Sequence, residues 1–242
     1  MNMPPEHPEG LSLVVPVFNE KENLEPLVDE IVGVIGSLDL WYEIILVNDG
    51  STDGSRDAII ALEQGRPEVR GLHLRANAGQ TAAFDAGFKA AAGGIIVTLD
   101  ADLQNDPADI PKLLEALESN AAAVGYRTVR NDSWLRRVSS TIANRIRNLL
   151  SGDSIRDTGC SMKAFRAGPL RQVRLYTGLH RFLPTLIRMD GGTVVEVPVN
   201  HRQRLAGDSK YGVMNRAFRT LIDLFAVRWM KKRRLDYEVT EG

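Results

Sequence analysis

The stretch "IIVTLDADLQNDP" (residues 95–107) decides how this chain is read. Five largely apolar residues, Ile95 to Leu99, run straight into Asp100-Ala101-Asp102, and Gln104 follows two positions on. A short apolar run bounded by turn residues predicts a buried strand, and this one ends on two carboxylates. Two nearby carboxylates repel unless a metal ion, an Arg or Lys, or open water lies beside them. The rest of the sequence has to choose among the three.

Outward from that strand, the first half alternates strand and helix signals. "LSLVVPVF" (11–18), "YEIILVND" (42–49), "VRGLHLR" (69–75) and "GIIVTLD" (94–100) predict strands. Between them, Leu24, Leu27, Ile31 and Ile35 are spaced for one helix face. "GSTDGSRDAIIALEQ" opens with turn residues before a second helix, "GQTAAFDAGFKAAAG" (79–93) reads as a third, and "PADIPKLLEALES" as a fourth with Pro107 near its start. Near-continuous apolar strands alternating with helices predict an α/β fold whose mostly parallel central sheet is covered on both faces.

After Tyr126 the rhythm changes. "DSWLRRVSSTIANRIRNLLSG" (132–152) predicts an arginine-rich helix, "TGCSMKAFRAGPLRQV" is mixed, and "HRFLPTLIRMDG" is helical. "GTVVEVPVNHRQR" (192–204) looks like a late strand, and residues 211–234 form an amphipathic segment with Phe218, Leu221, Ile222, Phe225 and Trp229 on one side. With no repeat, low-complexity tract or linker, a single domain is expected over 1–242. It divides into a ligand-binding half (11–126), a second half (127–212) and a basic C-terminal helix (213–234).

Composition narrows the class. The 242 residues are 43% hydrophobic and 25% charged, an ordinary globular balance that excludes disordered and fibrous classes. The lone Cys160 excludes a disulfide framework and a cysteine zinc site, and fits a reducing compartment. The opening "MNMPPEHPEG" lacks the pattern of a signal peptide, and no apolar run nears the roughly 20 residues of a membrane span. The net charge of −1 conceals a division: residues 1–126 hold 7 Lys and Arg against 21 Asp and Glu, a balance of −14, and residues 127–242 hold 23 against 10, a balance of +13. Mutual attraction of the halves is the plainer account; different partners for each is the other.

In an open α/β sheet, ligands bind beyond the carboxyl ends of the strands. Three polar clusters follow predicted strands, "PVFNE" (16–20), "NDGSTD" (48–53) and "DADLQ" (100–104). Together they outline a cleft of Asn19, Glu20, Asp49, Asp53, Asp100, Asp102 and Gln104. Such a cleft repels an anionic ligand unless a hard divalent cation mediates, and Mg²⁺ or Mn²⁺ bridges carboxylates to substrate phosphates in this way. Asp49 and Asp106 also fit as turn and helix caps, and any one cluster alone is a good loop sequence. Three at successive strand ends argue for a site.

The series "VVPVFNE", "EIILVNDGSTDGS", "NAGQTAAFDAGF" and "TLDADLQNDP" resembles the family 2 glycosyltransferases of the GT-A fold, within them the polyprenyl-phosphate (dolichyl-phosphate) mannosyltransferase group. The likeness continues through "GYR", "DTGC", "HRFLP" and "VNHRQRLAGDSKYG", covering roughly residues 11–234. It implies that Pro16, Asn19, Glu20 and Asp49 line the nucleotide pocket, with Asp49 facing the base. Asp100 and Asp102, helped by Gln104, would form the metal and sugar-nucleotide motif, with Mg²⁺ or Mn²⁺ as cofactor, and Arg127 would lie near the donor phosphates. The Gln-x-x-Arg-Trp element of processive polysaccharide synthases is absent. The implied reaction moves one sugar, GDP-mannose favoured as donor and UDP-glucose next, onto a polyprenyl phosphate with inversion.

A phosphate acceptor needs cations of its own, Arg for bidentate geometry and Lys as a point charge. "RQRLAGDSKYG" offers Arg202, Arg204 and Lys210, and the arginine-rich segment adds Arg136. The resemblance favours Arg137 with Ser140 or Thr141, and Arg204 with Lys210. A phosphate monoester is already ionised at neutral pH, so no obligatory general base is expected; Asp157 stands where one would be sought. The terminal stripe is expected first as core or subunit packing. Beside "KKRR" (231–234) it also fits an interfacial helix on anionic lipid. Since the sequence stops after "LDYEVTEG", the protein is expected at the cytoplasmic face, bound peripherally or through a membrane partner. Two other classes stay open: a GT-A enzyme with a saccharide or protein hydroxyl acceptor, and a nucleotide-sugar-binding scaffold that recruits proteins to the membrane. Nucleic acid is discounted, because no aromatics interleave with the arginines.

Overall fold

Runs of branched aliphatic residues set the strands, and their ends set the site. The computed structural model describes residues 7–128, 155–202 and 213–235, with side chains in the last segment from residue 222 onward. Strands β1 (His7–Val17), β2 (Tyr42–Asn48), β3 (Val69–His73) and β4 (Gly93–Thr98) alternate with helices α1 (Lys21–Ile35), α2 (Ser55–Gly65) and α3 (Gln80–Ala90). A 3-10 turn at Pro107–Asp109 leads into α4 (Ile110–Leu117). β5 (Ala122–Arg127), β6 (Lys163–Arg166), α5 (Ala167–Gln172), a second 3-10 turn (Leu179–Phe182), α6 (Leu183–Met189), β7 (Val194–Val199) and α7 (Val213–Arg233) complete the described chain.

One seven-stranded sheet in the order β3-β2-β1-β4-β6-β5-β7 runs through both halves. β1 pairs in parallel with β2 and β4, β2 with β3, and β5 with β7. β6 runs antiparallel to both of its neighbours, β4 and β5. The sheet is thus mostly parallel, as expected, with one reversed strand. Neither β5 nor β6 is among the expected strands; β5 lies between the fourth expected helix and the change of rhythm after Tyr126, where no element was expected, and β6 lies in a segment read as mixed.

The strands are apolar without a break because both faces are covered. Successive side chains on a strand point to opposite faces. Leu13 and Val15 of β1 join Ile44 and Leu46 of β2 beneath α1, whose Leu24, Leu27, Ile31 and Ile35 are all fully buried as their spacing predicts. Val14, Ile45 and Val47 face the other way, onto Ala83, Phe84 and Phe88 of α3 and Phe165 of β6.

The described part of α7 does not bury the expected stripe in the core. Among its described side chains Leu224 and Val227 are buried, packed in a third cluster with Leu179, Phe182 and Leu186. Ile222, Phe225 and Trp229 lie on the outside, 56%, 58% and 64% exposed, so these three are not core residues of the chain. Phe218 and Leu221 fall outside the described side chains. Among the described residues no helix is long and apolar enough to cross a membrane.

Candidate active site

β1 continues to α1 and β2 on one side, while β4 lies on β1's other side, so the strand order reverses at the β1–β4 crevice. Ligands of open α/β sheets bind outside the carboxyl ends of the strands at such a reversal. The residues beyond β1 and β4 are Phe18-Asn19-Glu20 and Leu99-Asp100-Ala101-Asp102.

Beyond β4 the backbone sorts its side chains. Leu99, Ala101, Leu103 and Asn105 are buried, and Asp100, Asp102 and Gln104 are half-buried. Leu103 has φ 59°, a left-handed conformation that L-residues other than Gly, Asn and Asp seldom adopt. Strained backbone of this kind clusters at functional sites. Asn105 anchors the turn from below: its Oδ1 accepts the Asp100 amide at 3.1 Å and the Ser161 hydroxyl at 2.8 Å. The Gln104 amide donates to Asp102 Oδ1 at 3.2 Å, and Gln80 Nε2 donates to Asp100 Oδ1 at 2.8 Å. Behind the site Lys163 is almost fully buried on β6; burial pushes its ammonium down, opposed by Cys160, Asp100 and Asp157.

The β1 and β2 exits are tied to each other. Asn19, at φ 54°, donates its amide to Ser51 Oγ and accepts the Thr52 amide at 2.7 Å. The Glu20 amide reaches Ser55 Oγ, the Lys21 amide reaches Asp53 Oδ2, and Asp53 Oδ1 accepts from the Ser55 amide and hydroxyl. Asp53 therefore serves the starts of α1 and α2. Asp49 is 3% exposed, and its carboxylate accepts the amides of Ala78 at 2.7 Å and Gly79 at 2.9 Å. Gly50, at φ 68°, packs so closely on Ala76 and Asn77 that an added Cβ would collide with their backbone. Pro16 sits in β1 opposite Val47 of β2.

The expected cations divide into those inside the described residues and those outside. Arg127, at the end of β5, forks onto Asp157: Nε to Oδ2 at 2.7 Å and a terminal nitrogen to Oδ1 at 3.0 Å. Asp157 also accepts the Gly159 amide and is 5% exposed. Arg202 bridges Glu30 of α1 at 2.6 Å and Asp106 at 2.8 Å. Its amide donates to the Gln104 carbonyl at 2.9 Å, and Gln104 Nε2 returns a bond to the Arg202 carbonyl at 3.4 Å. Arg202 is thus tied to the acidic turn through its backbone. Arg136, Arg137, Ser140, Thr141, Arg204 and Lys210 lie outside the described residues.

The structure brings Asp100, Asp102 and Gln104 together at the β4 exit, next to the tied Asn19–Glu20 and Asp49 loops. Three residues the sequence reading passed over belong with them: Gln80, Asn105 and Glu30. Gln80 stands in the quoted "NAGQTAAFDAGF", but an uncharged residue opening a helix carries no chemical signal of its own.

A reversed-order α/β sheet with carboxylates at the exit of its switch-point strand defines a protein of the GT-A class. The solved structures agree. A Mycobacterium tuberculosis glucosyl-3-phosphoglycerate synthase bound to Mn²⁺, UDP and glucosyl-3-phosphoglycerate superposes with a TM-score of 0.71 at 20% identity, covering 91% of this chain and 80% of that one. The same synthase with Mg²⁺ and UDP gives 0.67 at 19% identity, covering 90% and 80%. Residues 12–174 match the model of glycosyl transferase family 2, and the chain belongs to that family.

Curated relatives are closer in sequence. A dodecaprenyl-phosphate galacturonate synthase of Rhizobium johnstonii is 39% identical over 228 residues, 92% of this chain and 67% of the relative. An undecaprenyl-phosphate 4-deoxy-4-formamido-L-arabinose transferase of Edwardsiella ictaluri is 38% identical over 207 residues, 84% of this chain and 63% of the relative. The chain spans about two thirds of the length of these curated relatives.

Proposed function

We propose that this protein transfers one sugar from a nucleotide sugar to a polyprenyl phosphate, with inversion at the sugar. The line of Asp100, Asp102 and Gln104 at the β4 exit carries this proposal, supported by relatives named for polyprenyl-phosphate sugar transfer. The donor moves away from the mannose expectation. The two relatives are named for galacturonate and 4-deoxy-4-formamido-L-arabinose, and the solved neighbours hold UDP, so a UDP-linked uronate or modified pentose is the donor favoured over GDP-mannose.

The donor set fits a hard divalent cation. Asp100 and Asp102 offer half-buried carboxylates two residues apart, and among the described residues no cluster of three His, Cys, Asp or Glu encloses an ion. Two carboxylates with the remaining positions left to phosphate oxygens and water suit Mg²⁺ or Mn²⁺. Bound there, such an ion would neutralise the donor diphosphate and favour departure of the nucleotide. The protein's own part is orientation: Gln80 and Asn105 hold the acidic turn, and Asn19 with Ser51 and Thr52 holds the facing loop. The acceptor phosphate, already ionised, requires alignment rather than deprotonation. Asp157 has both oxygens on Arg127, and the reaction calls for no base from it. Arg137 with Ser140 or Thr141, and Arg204 with Lys210, are the proposed acceptor-phosphate ligands; Arg202, bonded to Gln104 and Asp106, holds the acidic turn.

A lipid acceptor also brings the enzyme to a membrane surface, and the exposed stripe of α7 beside Lys231, Lys232, Arg233 and Arg234 supports contact there, proposed at the cytoplasmic face. The test is transfer by the purified protein onto undecaprenyl phosphate with Mn²⁺ or Mg²⁺, offering UDP-galacturonate, UDP-glucose and GDP-mannose in parallel. A lipid-linked sugar from a UDP donor that vanishes in Asp102→Asn is expected. Retained anomeric configuration in that product would overturn inversion. No product with any donor, alongside intact metal-dependent UDP binding, would overturn the acceptor assignment alone.

A further inference from the structure

The carboxylate of Asp100 is aimed by a side chain that carries no charge. Gln80 Nε2 donates to Asp100 Oδ1 at 2.8 Å, and among the described residues it is the side chain that bonds this carboxylate. Gln80 is the first residue of α3 and is itself held from both sides. Upstream, the Ala78 and Gly79 amides are fixed by the buried Asp49 carboxylate, and Asn77 Nδ2 reaches the Asp49 carbonyl at 3.2 Å. Downstream, the Thr81 hydroxyl meets His180 Nδ1 at 2.7 Å and accepts the Gly178 amide at 2.9 Å. Thr81 is 6% exposed, so this second anchor is out of water. A helix start pinned at 78–79 and again at 81 leaves residue 80 little freedom.

We propose that Gln80 is a positioning residue of the donor site, setting the rotamer of Asp100 and hence the direction of its second oxygen, Oδ2. The chemistry of the donor explains the residue type. Arg or Lys at this place would also hold Asp100, but its charge would compete with any cation or hydroxyl that the carboxylate must bind. A carboxylate there would repel Asp100. An amide donates one hydrogen bond and leaves the full negative charge of Asp100 available, and hydrogen bonds to a charged acceptor are among the stronger ones. Asp49 thereby acquires a second effect: by gripping Ala78 and Gly79 it sets the origin from which Gln80 reaches.

This inference rests on the donor-site reading above, and its test separates the two. Mn²⁺-dependent UDP binding is measured by calorimetry for the wild type, Gln80→Leu, which lacks the donor, and Asp100→Asn, together with the Gln80→Leu/Asp100→Asn double variant. Gln80→Leu is expected to weaken Mn²⁺-dependent binding about tenfold, as loss of a hydrogen bond to a charged group implies, with the unfolding midpoint unchanged. In the Asp100→Asn background the same substitution should add nothing, because Gln80 acts through Asp100. Gln80→Asn, which keeps the amide on a shorter stem, should recover part of the loss. Equal binding by wild type and Gln80→Leu would overturn the inference while leaving the donor site standing, as would a full additive loss in the double variant. Absence of Mn²⁺-dependent UDP binding in the wild type would overturn both.

Discussion

At the end of β5 Arg127 donates two parallel N–H···O bonds to Asp157, with side-chain exposures of 25% and 6%. Removing one member of such a pair leaves the other charge enclosed and unmatched, which costs about 3 kcal/mol in buried pairs. Asp157→Ala is therefore expected to lower the urea midpoint well beyond Asp157→Asn, which keeps an acceptor for the guanidinium; equal midpoints would remove the pair from the stability account. Asp53 gives a pH signature. Burial alone would raise its pKa, but the Ser55 hydroxyl and amide and the Lys21 amide outweigh that and hold the carboxyl below its ordinary value. The stability it adds is complete above the unfolded pKa of about 3.9 and is lost as pH falls through the lower folded value. Asp53→Asn should thus be less stable than wild type at pH 7, with the gap closing towards pH 2 in urea titrations. Asp100, Asp102, Gln104 and the Asn19–Glu20 loop were legible in the sequence because each follows the end of a predicted strand. Gln80 opens a helix, Asn105 reads as a turn residue and Glu30 lies within α1, so none of them showed its role until its partner was placed.

Among the elements, α7 shows how periodicity identifies a helix without saying which way it faces. Ile222, Phe225 and Trp229 share a stripe, yet Leu224 and Val227 meet the Leu179–Leu186 cluster. Hydrophobic patterning counts apolar residues and does not weigh which of two apolar faces finds a partner. The paired substitution Phe225→Ser/Trp229→Ser is expected to abolish co-sedimentation with anionic vesicles while the unfolding midpoint holds. Neutralising Lys231 to Arg234 should weaken binding by about 1 kcal/mol per charge; unchanged sedimentation in both variants would refute the lipid contact. Arg202 illustrates a different limit. Its place in a basic run suggested phosphate, but proximity in the fold gives it Glu30 and Asp106. Arg202→Ala should cost little stability, about 1 kcal/mol for partly exposed pairs, while lowering transfer to polyprenyl phosphate by loosening the Gln104–Asp106 turn that it holds. Full transfer activity in that variant would refute the positioning role. β5 and β6 escaped prediction for compositional reasons: "AAVGYR" is rich in Ala and Gly, and "KAFR" has four residues with a buried Lys at its head.

In the whole molecule the acidic and basic halves of the sequence are not side-by-side lobes, because strands from the second half enter the sheet beside β4. β6 covers the open edge of β4 and offers its own other edge to β5. The order along the chain therefore differs from the order across the sheet. β1 to β4 are synthesised before β6, so the β4 edge of their parallel arrangement lacks its partner until residues 163–166 have been made, and raw strand edges recruit other chains. A nascent chain of this protein has an interval of exposure built into its topology, one that a chaperone or fast translation of residues 99–166 would shorten. Expressed alone, residues 1–128 should collect in the insoluble fraction, and co-expressed residues 129–242 should return them to solution by supplying the missing strand in trans. A soluble, monomeric 1–128 fragment would mean that something other than β6 can shield that edge during biosynthesis.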